Sequence, residues 1–239
     1  MARALYREWF VKFRFPGRGH STLIDSPAGP RPEGWSVRSL ADLVEGQYGY
    51  TESASEKCVG PKFLRGMDIN KRSFIDWASV PFCPVSNENH ERFRLRVGDV
   101  VVIRMADPGK VGIVEVDTDA VFASYLIRLS TKSNLITPYY LFYFLLSDRY
   151  QDYITGASTG TTRKSASAPV VTGIECVLPP EPLMADFEHQ VTPIRELLNS
   201  LVARNAVLRS ARDLLLPKLI SGELDVSRLP PEAPAEAVV

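Results

Sequence analysis

Hydrophobic and polar positions along the chain change period near Pro179-Pro180. Before that point the apolar residues come in short runs separated by turn residues. "RVGDVVVIRM" and "VGIVEV" predict two strands, and Pro108-Gly109 between them suits the central pair of a type II turn, so a hairpin is expected. "AVFASYLIRL" predicts a third strand. "TPYYLFYFLLSDRYQDYI" predicts a helix with a broad apolar face, capped by Thr137 and with Pro138 in its first turn; Tyr139, Tyr140, Phe142 and Phe144 are expected in the core. "VVTGIECVLPP" predicts a final strand. Trp35 and Leu40 read as core anchors ahead of a turn near Gly46.

Beyond Pro180 the pattern becomes helical. Counting from Phe187 in steps of four and three reaches Val191, Ile194, Leu198, Leu201, Asn205, Leu208, Arg212 and Leu215. A repeat of about 3.5 residues held over several heptads predicts a coiled-coil seam, in which a polar residue such as Asn205 fixes register and partner number at a cost in stability. Pro193 predicts a kink, or a restart with Thr192 as cap, and Pro217 and Gly222 mark the end. From Leu183 to Leu219 the helix would span roughly 55 Å.

At the other end, "ARALYREWFVKFRFPG" sets Arg3, Arg7, Lys12 and Arg14 among Tyr6, Trp9, Phe10, Phe13 and Phe15. It predicts the last turns of a helix and then an extended segment stopped by Pro16-Gly17. It also weakly echoes "ARDLLLPKLI" at the end of the long helix. The expected fold class is α+β: one globular domain with a mainly β core and packed helices, then a long C-terminal helix that forms a coiled coil. The expected division is an N-terminal basic-aromatic segment and linker (1–32), the globular domain (33–180), the long helix (181–224) and an acidic, Pro/Ala-rich disordered tail (225–239).

Composition narrows the chemistry. Lys and Arg number 28 and so do Asp and Glu, so no global basicity advertises nucleic acid, although a local patch can still bind it. Cys58, Cys83 and Cys176 are far apart, as are His20, His90 and His189, which argues against a metal site. An odd count of thiols fits a reducing cytosol. The most apolar run, "YYLFYFLL", is well short of the roughly 20 residues of a membrane span, so a cytoplasmic protein without membrane attachment is expected.

Several polar segments carry side chains that suit phosphate oxygens or base edges. In "GTTRKS", Thr161, Thr162, Arg163, Lys164 and Ser165 combine cations, hydroxyls and close-approaching backbone, which suits phosphate oxygens; the alternative is a solvated loop. "KFLRGMDINKRSF" offers Lys62, Arg65, Lys71 and Arg72, with Asn70 able to read adenine, or else a polar connection around a small strand. Arg104 and Lys110 flank the hairpin turn and either reach one groove or form an exposed hairpin end. "SNENH" reads as a loop whose Asn87, Asn89 and His90 have turn geometry as the rival explanation. Tyr48 and Tyr50 are candidates for DNA contact, with buried packing the favoured reading. No cofactor loop, nucleotide-binding lysine motif, nuclease carboxylate cluster or catalytic triad is recognisable.

Taken in order, "LYREWFVKFRFPG", "PEGW", "LRVGDVVV", "GKVGIV", "ITPYYLFYFLLS", "GTTRKS", "VLPPEP" and "LRSARDLLLPKLISGELDV" resemble the DNA specificity subunit of type I restriction-modification systems, over roughly residues 2 to 226. Members of that family usually carry two target-recognition domains, each followed by a long helix, with the helices packed antiparallel. The resemblance implies a half-length form, or the second half of a longer gene product, with a single target-recognition domain. Many family members have Gln where Arg163 stands. The implied partners are double-stranded DNA, methyltransferase subunits, restriction subunits in some assemblies, and a second copy or another half-subunit. S-adenosylmethionine and adenine-N6 chemistry would belong to the methyltransferase, leaving this chain without cofactor or catalysis. The alternative reading is a truncated interaction protein that does not bind DNA and sequesters the methyltransferase.

Overall fold

The computed structural model describes residues 1–17, 19, 22–70, 73–132, 134–159 and 164–224. In chain order it contains α1 (Ala2–Tyr6) running into a π-helical turn (Arg7–Val11), β1 (Leu23–Ile24), β2 (Arg31–Pro32), β3 (Ser36–Ser39), α2 (Leu40–Leu43) and β4 (Val44–Tyr48). Then come β5 (Lys62–Leu64), α3 (Gly66–Ile69), α4 (Asn87–Phe93), β6 (Val100–Ile103), β7 (Val111–Ile113), β8 (Ala120–Phe122) and β9 (Leu126–Thr131). The chain closes with α5 (Pro138–Leu145), α6 (Asp148–Ala157), α7 (Ala168–Thr172), β10 (Glu175–Leu178) and α8 (Glu181–Ile220). The mixed fold class and the long C-terminal helix agree with the sequence reading.

The central sheet has the order β4-β9-β6-β7 and is antiparallel throughout. All four residues of β6 are buried because both faces of the sheet are covered. Val100 and Val102 join a core with α5, the start of α8 and the N-terminal aromatics, while Val101 and Ile103 face a second core of Leu64, Ile69, Leu95 and Phe122. The β6–β7 hairpin forms as expected, and Gly109 takes φ +93° in its turn. A Cβ on Gly109 would lie 2.5 Å from Cγ2 of Ile154 as well as in a backbone region hostile to side chains. Gly109→Ala is therefore expected to destabilise the fold by about 1–3 kcal/mol, read from chemical denaturation.

Several elements differ from expectation for identifiable reasons. "AVFASYLIRL" is two strands, because a turn at Ser124-Tyr125 sends β8 to pair parallel with β5 and β9 antiparallel with β4 and β6. The helix expected from Thr137 onward is two: Thr137 caps α5, and Ser147 accepts from the Tyr150 amide to cap α6, a local bond Ser offers more readily than helix interior. "VVT" ends α7 rather than opening a strand, and Gly46 lies within β4 instead of at a turn. "SNENH" is the capped first turn of α4, not a loop.

One compact unit runs from Met1 to Asn199, and the second begins at Ser200. Ala2, Tyr6, Trp9 and Phe10 belong to the main core, so the N-terminal segment is a structural part of the lobe. So is the first half of α8: Leu183, Phe187, Val191 and Arg195 are buried at i, i+4 spacing, with Met184 beside them. The Phe187 ring meets those of Tyr6, Trp9, Phe10 and Tyr143 at 4.9 to 6.1 Å between centroids. The predicted seam thus divides. Phe187 and Val191 are spent on the chain's own core and Ile194 packs against it, whereas Leu201, Asn205, Leu208 and Leu215 are exposed and Leu198 is half-buried. Neither proline breaks α8. Pro193 and the His189 residue whose carbonyl it orphans are both exposed, so water can satisfy that carbonyl, and Thr192 donates to the Glu188 carbonyl rather than capping. Residues 225–239, expected to be disordered, lie outside the described residues.

Candidate nucleic-acid interface

Three segments distant in sequence are bonded together at the tip of the β6–β7 hairpin. The residues after β6 leave the sheet and pair with the segment from Lys164 to Ala166: the Ala106 amide donates to the Lys164 carbonyl at 3.0 Å and the Ala166 amide to the Arg104 carbonyl at 2.8 Å. Met105 and Ser165 form an antiparallel bridge, and Thr159 forms another with Ser165. The Arg104 amide donates to the Tyr125 carbonyl at 2.9 Å, which adds the β8–β9 turn. Asn70, just after α3, donates through Nδ2 to Asp107 Oδ2 at 3.0 Å, adding the third segment. Ala106 holds φ +70°, a conformation rarely tolerated by a residue with a side chain.

Besides Asp107 and Asn70, this assembly carries basic and aromatic side chains. Lys110 and Lys164 are exposed. The Arg104 guanidinium lies 4.8 Å from the centroid of the Tyr48 ring, and Tyr48 Oη accepts from the Ala168 amide at 2.8 Å. Arg104 Nε is buried with no hydrogen-bond partner among the described residues. Tyr48 and Tyr125 are 41% and 47% exposed, a costly display for rings that a core would accept. Cations beside exposed aromatic faces suit a polyanion that also offers flat bases.

The structure sorts the sequence candidates. Lys164, Ser165, Arg104, Lys110 and Asn70 come together at this tip. Lys62 does not join them: its Nζ donates to the Val80 carbonyl at 2.7 Å and sits 4.0 Å over the Phe82 ring. Arg65 forms a fork with Asp68, Nε to Oδ2 at 3.1 Å and Nη2 to Oδ1 at 3.0 Å, which closes the start of α3. Both side chains are bonded within the lobe. His90 pairs with Asp119 at 2.6 Å. Thr161, Thr162, Arg163, Lys71 and Arg72 lie outside the described residues. Tyr48, read as packing, is exposed, and Tyr125 was missed because the turn that presents it carries neither Gly nor Pro. Burial pushes the Cys83 and Cys176 thiols up to about 11 and about 12, far from a reactive thiolate. Among the described residues no helix is long and apolar enough to cross a membrane.

No protein-family model matches the chain. Over 236 residues it is 26% identical to the specificity subunit of the type I restriction enzyme MjaVIII of Methanocaldococcus jannaschii, a match covering 95% of this chain and 54% of that protein. It is 24% identical over 197 residues to the HindI specificity subunit of Haemophilus influenzae, covering 81% and 42% respectively. Among solved structures, the HsdS subunit of Thermoanaerobacter tengcongensis superimposes with a TM-score of 0.53 at 15% identity, covering 93% of this chain and 50% of that one. The type I S subunit of M. genitalium superimposes with a TM-score of 0.52 at 17% identity, covering 79% and 46%. The chain thus spans about half the length of the curated relatives it matches, all of them type I restriction enzyme specificity subunits, and it shares the S-subunit fold.

Proposed function

We propose that this chain is a half-length, non-catalytic specificity subunit of a type I restriction-modification system, with a lobe that reads one DNA half-site. The observation that carries the reading is the tip where Arg104, Lys110, Lys164 and two exposed tyrosines are held by hydrogen bonds between segments up to 120 residues apart. A solvated loop has no need of that bracing; a surface that must meet a rigid duplex does. The second half of α8 keeps Leu201, Val207, Leu208, Leu214 and Leu215 exposed, a row that calls for a helical partner. A second copy of this chain, or a different half-subunit, supplies that partner, and methyltransferase subunits dock on the assembly. They bring S-adenosylmethionine and the adenine-N6 transfer, for which the target base must leave the stack. Restriction subunits join where cleavage accompanies modification, and the setting is the cytoplasm.

Two identical lobes about a two-fold axis read two inverted half-sites separated by an unread gap. The test is selection of random-sequence duplexes by the purified full chain, alone and co-expressed with a type I methyltransferase subunit, alongside the mass in solution. Enrichment of a bipartite inverted motif by a dimer is expected. A stable complex with the methyltransferase that retains no duplex would replace this reading with the sequestering one.

A further inference from the structure

Asp107 puts a carboxylate on the hairpin tip that also carries Arg104, Lys110 and Lys164. A surface that meets phosphates is weakened by a negative charge, and a plain latch between two loops needs only a neutral side chain. What Asp107 bonds is Asn70, whose Nδ2 donates to Asp107 Oδ2 at 3.0 Å. The fold places both partners firmly. Asn70 ends α3, whose start is closed by the fork between Arg65 and Asp68. Its neighbour Ile69 is 3% exposed and presses so closely on β7 that a Cβ on Gly112 would lie 2.8 Å from Ile69 Cγ2. A Cβ on Gly66, the first residue of α3, would lie 3.4 Å from Cδ1 of Ile103, the last residue of β6. So α3 is seated on both strands of the hairpin whose turn carries Asp107. The Asp107 amide in turn donates to the Met105 carbonyl at 3.0 Å. At this junction Asp107 is exposed and Asn70 half-buried.

Resting on the DNA-reading role proposed above, we propose that Asn70 is a specificity-determining residue that reads an adenine, and that Asp107 is the positioning residue that aims it. An ionised carboxylate accepts hydrogen bonds and cannot donate, so the amide must turn its nitrogen toward Asp107 and its oxygen away. A free asparagine amide has two orientations related by a half-turn, and only one of them matches a given base edge. With one N–H given to Asp107, the amide keeps Oδ1 as acceptor and the other N–H as donor. In the major groove that pair matches adenine, whose N6 donates to Oδ1 while its N7 accepts from Nδ2. The other bases fit less well. Guanine presents two acceptors, so Oδ1 would meet a lone pair. Cytosine offers only the N4 donor, and thymine has no donor for Oδ1. Holding the amide in place before contact also removes the ordering cost that a freely rotating side chain incurs on binding.

The test compares the full chain, co-expressed with a type I methyltransferase subunit, with Asn70→Ala and with the reciprocal exchange Asn70→Asp/Asp107→Asn. The exchange keeps net charge and keeps one amide donating to one carboxylate. A pair that only latches α3 to the hairpin is therefore restored by it, with the selected motif as in wild type. What the exchange does alter is the group at position 70, which becomes an acceptor alone and suits N4 of cytosine. Random-duplex selection reads the base at each position, and competition between duplexes that differ at one position gives the ratio of affinities. The wild-type motif is expected to contain an adenine whose preference over the other bases falls by about 5- to 150-fold in Asn70→Ala, the weight of one bidentate base contact. The exchange variant is expected to melt with wild type and to replace that adenine by cytosine, leaving the other positions unchanged. If either variant enriches the wild-type motif unaltered, the proposal is overturned while the lobe's DNA reading stands. A wild type that enriches no sequence sinks the DNA reading and this proposal together.

Discussion

Phe187→Ala is expected to destabilise the lobe by about 3–5 kcal/mol, and Leu208→Ala, on the same predicted seam, to leave the lobe's stability unchanged. Phe187 is fully buried and four aromatic rings surround it, from the N-terminal segment and from α5. Truncation removes a large apolar surface from water-free packing and leaves a cavity that a cluster of stiff rings cannot collapse to fill. Leu208 is 65% exposed, so within a single chain it has little to lose. Its effect should appear in self-association, as a higher dissociation constant by sedimentation, with Leu201→Ala and Leu215→Ala behaving alike. Urea denaturation of each variant at a protein concentration below the dissociation constant separates the two halves of α8. A Leu208→Ala variant that unfolds as early as Phe187→Ala would mean that the far half of the helix is also part of the lobe's cooperative unit.

The seam illustrates what could and could not be read from residues alone. The 3.5-residue repeat from Phe187 to Leu215 is real as a pattern, but periodicity reports only that one helix face is apolar, not what covers it. Here that face divides into a covered first part and an exposed remainder. The cover is the chain's own N-terminus: "ALYREWF" reads as a fragment ahead of a linker, and nothing local announces that Tyr6 and Phe10 meet a helix some 180 residues later. Where local chemistry decides, the sequence was informative. Thr137-Pro138 starts α5 and Gly109 turns the hairpin because capping and positive φ are properties of a few adjacent residues. The break at Ser124-Tyr125 was hidden for the opposite reason, being imposed by two different pairing partners rather than by turn residues. For the same reason basic residues could be named as candidates but not sorted. Arg65 pairs with Asp68 three residues away, a pairing visible in sequence, whereas Lys62 bonds Val80 and sits over Phe82, which only the fold brings near.

Replacing Lys110 and Lys164 together by Ala is expected to shallow the slope of log Kobs against log salt concentration by about 2, roughly 0.9 for each phosphate that no longer meets a cation. Both ammonium groups are exposed at the hairpin tip, so neither change removes lobe packing, and melting should stay at the wild-type temperature. Because phosphate contacts carry no base identity, affinity should drop equally on a selected duplex and on an unrelated one. Arg104→Ala is expected to behave differently. Its guanidinium is held against Tyr48 and its backbone is bonded on both sides, so it is aimed rather than free. If the Arg104 guanidinium meets a base edge, its removal relaxes the selected sequence at one position, at about 1–3 kcal/mol of reduced discrimination, and changes the salt slope little. Fluorescence anisotropy over a series of potassium chloride concentrations, on both duplexes, gives the two slopes and the two affinities in one experiment. Equal weakening by Arg104→Ala on selected and unrelated duplexes would make this arginine another phosphate-binding cation. An unaltered slope in the double lysine variant would remove the hairpin tip from the interface altogether.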